Sequence, residues 1–86
     1  MENAMHESGV IRRLIKTATA EAARRGARLR GIDVRLGMLA GGSPEHLKAH
    51  FDTEVESLGI GPVSIRIESV PDHPGGVELT GLDLEA

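Results

Sequence analysis

The sequence contains no cysteine and almost no aromatic residue, and both absences limit what the chain can do. Its 86 residues include no Cys, Trp or Tyr, and Phe51 is the only aromatic side chain. Without cysteine the chain has no disulfides, no thiolate zinc site and no Cys nucleophile. The core has to be built from Leu, Ile, Val, Ala and Met, so few large side chains are available to anchor an interface.

Strong net charge and long apolar runs are also lacking. The 10 basic and 13 acidic residues give a net charge of −3 and are mixed along the chain. This charge pattern gives no reason to expect nucleic-acid binding. No apolar run approaches the roughly 20 residues that span a bilayer, and the start lacks the basic and apolar regions of a secretion signal. We therefore expect one small, soluble, cytoplasmic domain with no membrane partner.

Two segments have the periodicity of amphipathic helices. The first runs from Glu7 to Arg25, and Gly26 suits a left-handed stop. The second begins with Ser43 as N-cap and Pro44 in the first turn, and ends near Gly59. The first helix has an apolar stripe at Val10, Ile11, Leu14, Ile15, Ala18 and Ala22. The stripe of the second comprises Leu47, Phe51, Val55 and Leu58.

Three further segments alternate between apolar and polar residues, which predicts strands. In the third, the alternation shifts by one residue at Gly81, so we expect a bulge there. The segment "PDHPGG" before it predicts a turn in which His73 is an ordinary turn residue. We expect the last two strands to pair as a hairpin. The apolar positions are Ile32, Val34, Leu36 and Met38, then Val63, Ile65 and Ile67, and finally Val77, Leu79, Leu82 and Leu84.

The order helix, strand, helix, strand, strand predicts an α+β fold. Two amphipathic helices can cover one face of a three-stranded sheet. The link from the first strand through the second helix suits a right-handed crossover to a parallel neighbour.

Sequence motifs for catalysis are lacking. The chain has no nucleophile elbow and no phosphate-binding loop. The glycine pairs Gly41–Gly42 and Gly75–Gly76 lack the Lys, Ser and spacing of a nucleotide loop, so they indicate turns. We do not expect an enzyme.

Two histidines in the second helix are a candidate metal site. His46 and His50 are four residues apart, so their imidazoles lie on one side of the helix and can share an ion. Glu54 continues the same row. Both histidines also fit ordinary positions at the boundary between the buried and the solvated face, and the sequence favours this second interpretation.

A second candidate is the stretch "MHESG", residues 5–9. In a chain that began at Met5, the amine, deprotonated backbone amides and the His6 imidazole could converge on one ion. Such a nitrogen-rich set favours square-planar nickel(II) or copper(II). The competing interpretation is a polar start of a helix, with Glu7 complementing the helix dipole. Taken alone, the residues favour the competing interpretation.

The longer segment "MHESGVIRRLIKTATAEAARRGARLRGIDVRLGMLAGGSPEHLKAHFD" changes that balance, because it resembles the start of the HypA/HybF family of hydrogenase-maturation nickel chaperones. The later stretches "VSIRIESVP" and "GGVELTGLDLEA" are similar to the next and last strands of that family, so the resemblance covers most of residues 5–86. The matching positions in and after the first strand are Val34, Leu36, Leu39, Gly41, Pro44, Glu45, Leu47 and Phe51. The resemblance implies a nickel-binding domain at residues 5–86, with the metal held by Met5, His6 and Glu7. It also implies a nickel-handling GTPase and a hydrogenase large subunit as partners.

The sequence departs from the family pattern in two places. The zinc ribbon that the family carries before its last strand is replaced by "DHPGG", so we expect no structural zinc. Residues 1–4, "MENA", precede Met5 as an N-terminal extension. With them in place, Met5 has no free amine, and the nickel site has to lose a ligand or recruit another one. The alternative function is a non-metal adaptor or homodimerising module on the same scaffold.

Overall fold

The computed structural model describes the backbone of residues 3–38 and 43–86 and the side chains of residues 9–38 and 43–86. Two helices lie on one face of a three-stranded mixed sheet, which confirms the predicted α+β class and element order. The elements are α1 (Asn3–Arg24), β1 (Arg28–Leu36), α2 (Pro44–Leu58), β2 (Ser64–Ser69) and β3 (Val77–Glu85). No helix among the described residues is long and apolar enough to cross a membrane.

The helix ends form as their residue types predict. Gly26 has a φ of 66°, and the N–H groups of Gly26 and Ala27 donate to the carbonyls of Ala23 and Ala22, which closes α1 in a Schellman motif. The Ser43 hydroxyl accepts a hydrogen bond from the His46 N–H at 3.1 Å, as an N-cap does. Gly59, with a φ of 65°, ends α2.

The ends of two predicted apolar stripes are wrong. Leu58, in the last turn of α2, is 37 % exposed and does not belong to the core. Met38 lies beyond the end of β1 and is 63 % exposed, because the chain leaves the sheet after Leu36. The predicted α1 also starts too late, since the helix begins at Asn3, before its apolar stripe.

The strand order is β2-β1-β3, with β1 parallel to β2 and antiparallel to β3. The parallel pair confirms the predicted crossover through α2. The predicted hairpin between β2 and β3 is wrong, because both strands pair with β1 instead. A physical reason is that, of the three strands, β1 carries the most deeply buried side chains, Leu29, Ile32, Val34 and Leu36, which are 1–7 % exposed. The central position gives that strand neighbours on both sides.

The β2–β3 link crosses the end of β1. The Val70 N–H donates to the Leu36 carbonyl, the Met38 N–H to the His73 carbonyl, and the Gly37 N–H to the Gly76 carbonyl, at 2.9–3.0 Å. His73 is thus a turn residue, as predicted, and its backbone helps to close the end of the sheet.

Two irregularities set which residues face the helices. Asp33 pairs with Gly81 and Val34 with Leu79, which leaves Thr80 as an extra residue and confirms the bulge at Gly81. A second bulge, in β1, was not predicted. It lies between Leu29 and Gly31. Because of it, Leu29 and Ile32 both point into the core although they are three residues apart.

The core lies between the sheet and the helices, and Phe51, 1 % exposed, is its largest fully buried side chain. The opposite face of the sheet is polar and carries cross-strand ion pairs. Arg66 of β2 donates to Asp33 of β1 at 2.7 Å, and this hydrogen bond raises the pKa of Arg66. Two more pairs join β1 to β3, Arg35 with Glu78 at 3.3 Å and Arg30 with Glu85 at 3.0 Å.

Candidate metal site

The first candidate ligands, Met5, His6 and Glu7, belong to the first turns of α1, which begins at Asn3. Their side chains lie outside the described residues. The first few backbone N–H groups of a helix have no acceptor within the helix. Because α1 begins at Asn3, the Met5 N–H is one of these, whereas the Glu7 N–H lies far enough along to donate a helical hydrogen bond.

The second candidates, His46 and His50, lie next to each other on α2. Their ring centroids are 4.6 Å apart, and the rings meet edge to face at 66°. His46 is exposed and His50 is half-buried, which are the boundary positions that the periodicity predicts. The two rings border a shallow surface depression of about 360 Å³ together with Ala49, Thr53 and Glu54. The pair therefore offers two imidazoles at an accessible position.

The third member of this row, Glu54, is engaged elsewhere. Its Oε1 accepts hydrogen bonds from Arg12 Nε at 3.2 Å and Nη2 at 3.1 Å. The Glu54 side chain is 13 % exposed and that of Arg12 51 %. A cation bound to this carboxylate would have to displace the guanidinium, so Glu54 is a poorer metal ligand than its spacing suggests.

Contacts at two levels show that α1 and α2 run side by side in the same direction. Arg12 of α1 meets Glu54 of α2. Further along both helices, Thr19 and Ala23 of α1 line the same small crevice as Ile60, which follows α2. Later residues of α1 thus face later residues of the α2 segment. The start of α1 consequently lies at the same end of the molecule as the start of α2, where His46 and His50 are.

The described side chains alone do not assemble a complete metal site. Within residues 9–38 and 43–86, no group of three or more His, Cys, Asp or Glu side chains is placed to hold an ion. The His46–His50 pair supplies two side chains, one fewer than such a group needs.

A larger surface depression lies elsewhere among the described residues, between α2 and the start of β2. It has a volume of about 760 Å³ and its charged lining residues include Arg30, Lys48, Asp52, Glu56 and Asp83. Lys48 and Asp52 pair with each other at 2.9 Å. The depression thus presents charges of both signs, two of which already neutralise each other.

Comparison of the chain with protein-family models, curated proteins and solved structures finds no significant match. The resemblance to the HypA/HybF family therefore stays a prediction from the sequence motifs.

The sequence does not reveal the Arg12–Glu54 ion pair or the relative direction of the helices. The row of His46, His50 and Glu54 is visible in the sequence, because its spacing is local. The partner of Glu54 is 42 residues away, and no local signal indicates which residue of α1 would face it.

Proposed function

We propose that this protein is a small nickel-binding accessory protein, which holds the ion through Met5, His6 and Glu7 and passes it to a partner. The observation that carries this proposal is the position of the triplet. It lies in the first turns of α1, at the end of the molecule where α2 presents two imidazoles. The resemblance of residues 5–86 to nickel chaperones supports the same ion.

The chemistry of the triplet accounts for reversible binding. Imidazole and backbone nitrogen are ligands that suit nickel(II) and copper(II). A backbone nitrogen that binds a metal loses its proton and can no longer donate a helical hydrogen bond. Binding at residues 5–7 therefore exchanges hydrogen bonds of the first turns for metal–nitrogen bonds. Helix ends open at little cost in free energy, so the ion can be taken up and released without unfolding of the core.

The partners follow from the same resemblance. A nickel-handling GTPase and a hydrogenase large subunit are the proteins to which such a carrier would dock. The docking surface would combine the start of α1 with an exposed edge of the sheet. In this function the protein is a carrier and catalyses no reaction.

Nickel titration calorimetry on the full chain, on a protein that starts at Met5 and on His6→Ala tests the proposal. We expect one-to-one binding, tightest when Met5 is the first residue, and a loss of at least tenfold in affinity in His6→Ala. The control is His73→Ala, which removes a histidine from the β2–β3 link. We expect nickel affinity within about twofold of that of the unmodified protein.

The thermal midpoint of His6→Ala without metal should stay close to that of the unmodified protein, because His6 precedes the buried stripe of α1. A large drop would make His6 a structural residue. If neither the full chain nor the protein that starts at Met5 binds nickel, the carrier function is wrong.

A second candidate function, a non-metal adaptor or homodimer, is supported by the outer strands. Within the described residues, β2 and β3 each pair only with β1, so each leaves one edge unpaired. Their inward-facing side chains, Ile65, Ile67, Val77, Leu79, Leu82 and Leu84, are only partly buried. Sedimentation equilibrium without metal tests this function. A dimer at micromolar concentration would favour it, and a monomer would count against the dimeric form.

A further inference from the structure

We infer that a second copy of this chain binds to the free edge of β2, in an antiparallel pairing of the two β2 strands whose two-fold axis passes through Ile67. The two three-stranded sheets then join into one sheet of six strands. The inference does not rest on nickel binding, and it specifies the interface of the homodimer that is the second candidate function.

The two outer strands differ in how well their free edges are protected. Native proteins protect edge strands with bulges, charged side chains and proline. β3 has a bulge at Gly81. Its charged residues, Glu78, Asp83 and Glu85, are all acidic, so two copies of β3 would repel each other. β2 pairs with β1 without interruption from residue 64 to residue 69 and carries one charge of each sign. The edge of β2 is therefore the one suited to a second copy.

The backbone of β2 presents hydrogen-bonding groups at this edge. The Val70 N–H donates to the Leu36 carbonyl at 2.9 Å, so Val70 directs its backbone groups towards β1. In a strand, the N–H and C=O groups of alternate residues point to the same side. Those of Ile65, Ile67 and Ser69 consequently point to the free edge. Within residues 3–38 and 43–86, no strand lies on that side of β2.

One register matches both the backbone groups and the charges. With the axis at Ile67, the two Ile67 residues face each other and Ile65 faces the partner's Ser69, so outward backbone groups meet outward backbone groups. Arg66 then lies opposite the partner's Glu68. This is a position without backbone hydrogen bonds, where facing Cα atoms are only about 4.5 Å apart. Opposite charges at facing positions stabilise a strand pair, and the symmetry provides this pair twice.

The same charges exclude the neighbouring registers. A slip of two residues keeps the matching backbone groups, but it brings Arg66 opposite Arg66 in one direction and Glu68 opposite Glu68 in the other. Like charges at facing positions destabilise a strand pair. A slip of one residue would set outward backbone groups against groups that point to β1. Larger slips shorten the contact.

Arg66 can bind a partner carboxylate without leaving its own sheet. Its Nε and Nη2 donate to Asp33 at 2.7 and 3.4 Å. A guanidinium has five N–H donors, and those of Nη1 take no part in this pair. The Arg66 side chain is 77 % exposed. Glu68 is exposed as well, and it has no ion-pair partner among the described residues.

The inner face of β2 also gains from the pairing. Ile65 and Ile67 are only partly buried, since β2 has no neighbour on its free side. In the dimer the two Ile67 side chains meet across the axis, and burial of apolar surface favours association. A contact between two short strands is smaller than the interfaces of permanent dimers. We therefore expect a reversible dimer.

The decisive experiment is sedimentation equilibrium of the full chain without metal, with charge variants at the two facing positions. Glu68→Arg sets Arg against Arg66, and Arg66→Glu sets Glu against Glu68. We expect each change to lower the association constant by about tenfold or more. In an equal mixture the two variants face each other with opposite charges. Their association should return to within about threefold of that of the unmodified protein.

Glu85→Arg on β3 is the matched control, because it makes the same charge change on the other outer strand. The association constant should stay within about twofold of that of the unmodified protein. Circular dichroism and thermal unfolding check that each variant folds.

A cross-link tests the register without any change of charge. The chain has no cysteine, so Ile67→Cys introduces a single thiol at the axis. Facing Cα atoms of a hydrogen-bonded pair are about 5.5 Å apart, which suits a disulfide. Oxidised glutathione should give a covalent dimer on a non-reducing gel. Ile65→Cys, on the same strand and face, should not cross-link, because Ile65 faces the partner's Ser69.

The outcomes separate the inference from the proposed function. A monomer throughout the micromolar range would overturn the inference. So would a dimer that both charge variants leave unchanged, or equal cross-linking at positions 65 and 67. Association that continues beyond the dimer would indicate pairing of β2 with β3 and would also contradict it. Absence of nickel binding would refute the carrier function and leave the dimer untouched.

Discussion

The two faces of the sheet use the same three strands in opposite ways. The face towards the helices contributes the buried residues Leu29, Ile32, Val34 and Leu36, and the other face carries three cross-strand ion pairs. Buried apolar surface contributes about 25 cal/mol per Å², whereas exposed ion pairs contribute about 0–1 kcal/mol each. Most of the stability should therefore come from the face that the helices cover. The candidate metal site belongs to neither face, because its residues are part of α1 and α2.

The largest effect should follow from a substitution in the core that packs against the covered face of the sheet. Phe51 is 1 % exposed and is the only aromatic residue, so no other large ring can fill its place. We expect Phe51→Ala to lower the free energy of unfolding by about 3–5 kcal/mol. In a domain of this size that loss approaches the whole stability. Urea denaturation followed by circular dichroism measures the change.

Ser57→Ala on the same helix is the matched control, since Ser57 is exposed. Its unfolding free energy should change by no more than about 0.5 kcal/mol. A loss below about 1 kcal/mol in Phe51→Ala would mean that the core collapses around the cavity and that the covered face is not the main source of stability.

The next effect comes from a glycine at the end of the sheet. A Cβ at Gly37 would lie 2.5 Å from the Gly75 carbonyl oxygen and 2.8 Å from the His73 ring, so the crossing β2–β3 link would have to shift. We expect Gly37→Ala to lower the free energy of unfolding by about 1–3 kcal/mol, measured by the same urea denaturation.

Gly9→Ala is the control, and its expected effect on the free energy of unfolding has the opposite sign. Nothing lies within 4 Å of a Cβ at this exposed helical position, so the change should stabilise by about 0.5–1 kcal/mol.

If Gly37→Ala proved neutral, the β2–β3 link would be free to move away from β1. The hydrogen bonds between that link and the end of β1 would then contribute little to closing the sheet.

The helices, their caps and the strands could be predicted because each depends on residues close in sequence. Ser43 followed by Pro44, Gly26 and Gly59 each mark a helix end by their own chemistry. Even the bulge at Gly81 shows as a shift in the alternation of β3. Such signals need no knowledge of the partner strand.

Strand pairing could not be predicted in the same way. The β2–β3 turn signal suggested a hairpin, but burial of β1 between two neighbours determined the order β2-β1-β3. The candidate site shows the same limit. The spacing of His46 and His50 is local, whereas the helix alignment that brings the start of α1 to their level depends on a contact between residues 12 and 54.

The smallest effect should come from the outer face, and it tests whether the ion pairs there stabilise the fold. Arg35 and Glu78 meet at 3.3 Å and are 38 % and 50 % exposed. A double-mutant cycle of Arg35→Ala and Glu78→Ala should give a coupling free energy of about 0.2–1 kcal/mol. Glu78 also lies 3.3 Å from His73 Nε2, so Glu78→Ala removes two contacts, and the cycle isolates the one to Arg35.

At 1 M salt, where the screening length is about 3 Å, the coupling free energy between Arg35 and Glu78 should fall towards zero. A coupling above 2 kcal/mol that persisted at 1 M salt would mean that the outer face holds the strands together as strongly as the core does, and the contrast between the two faces would fail.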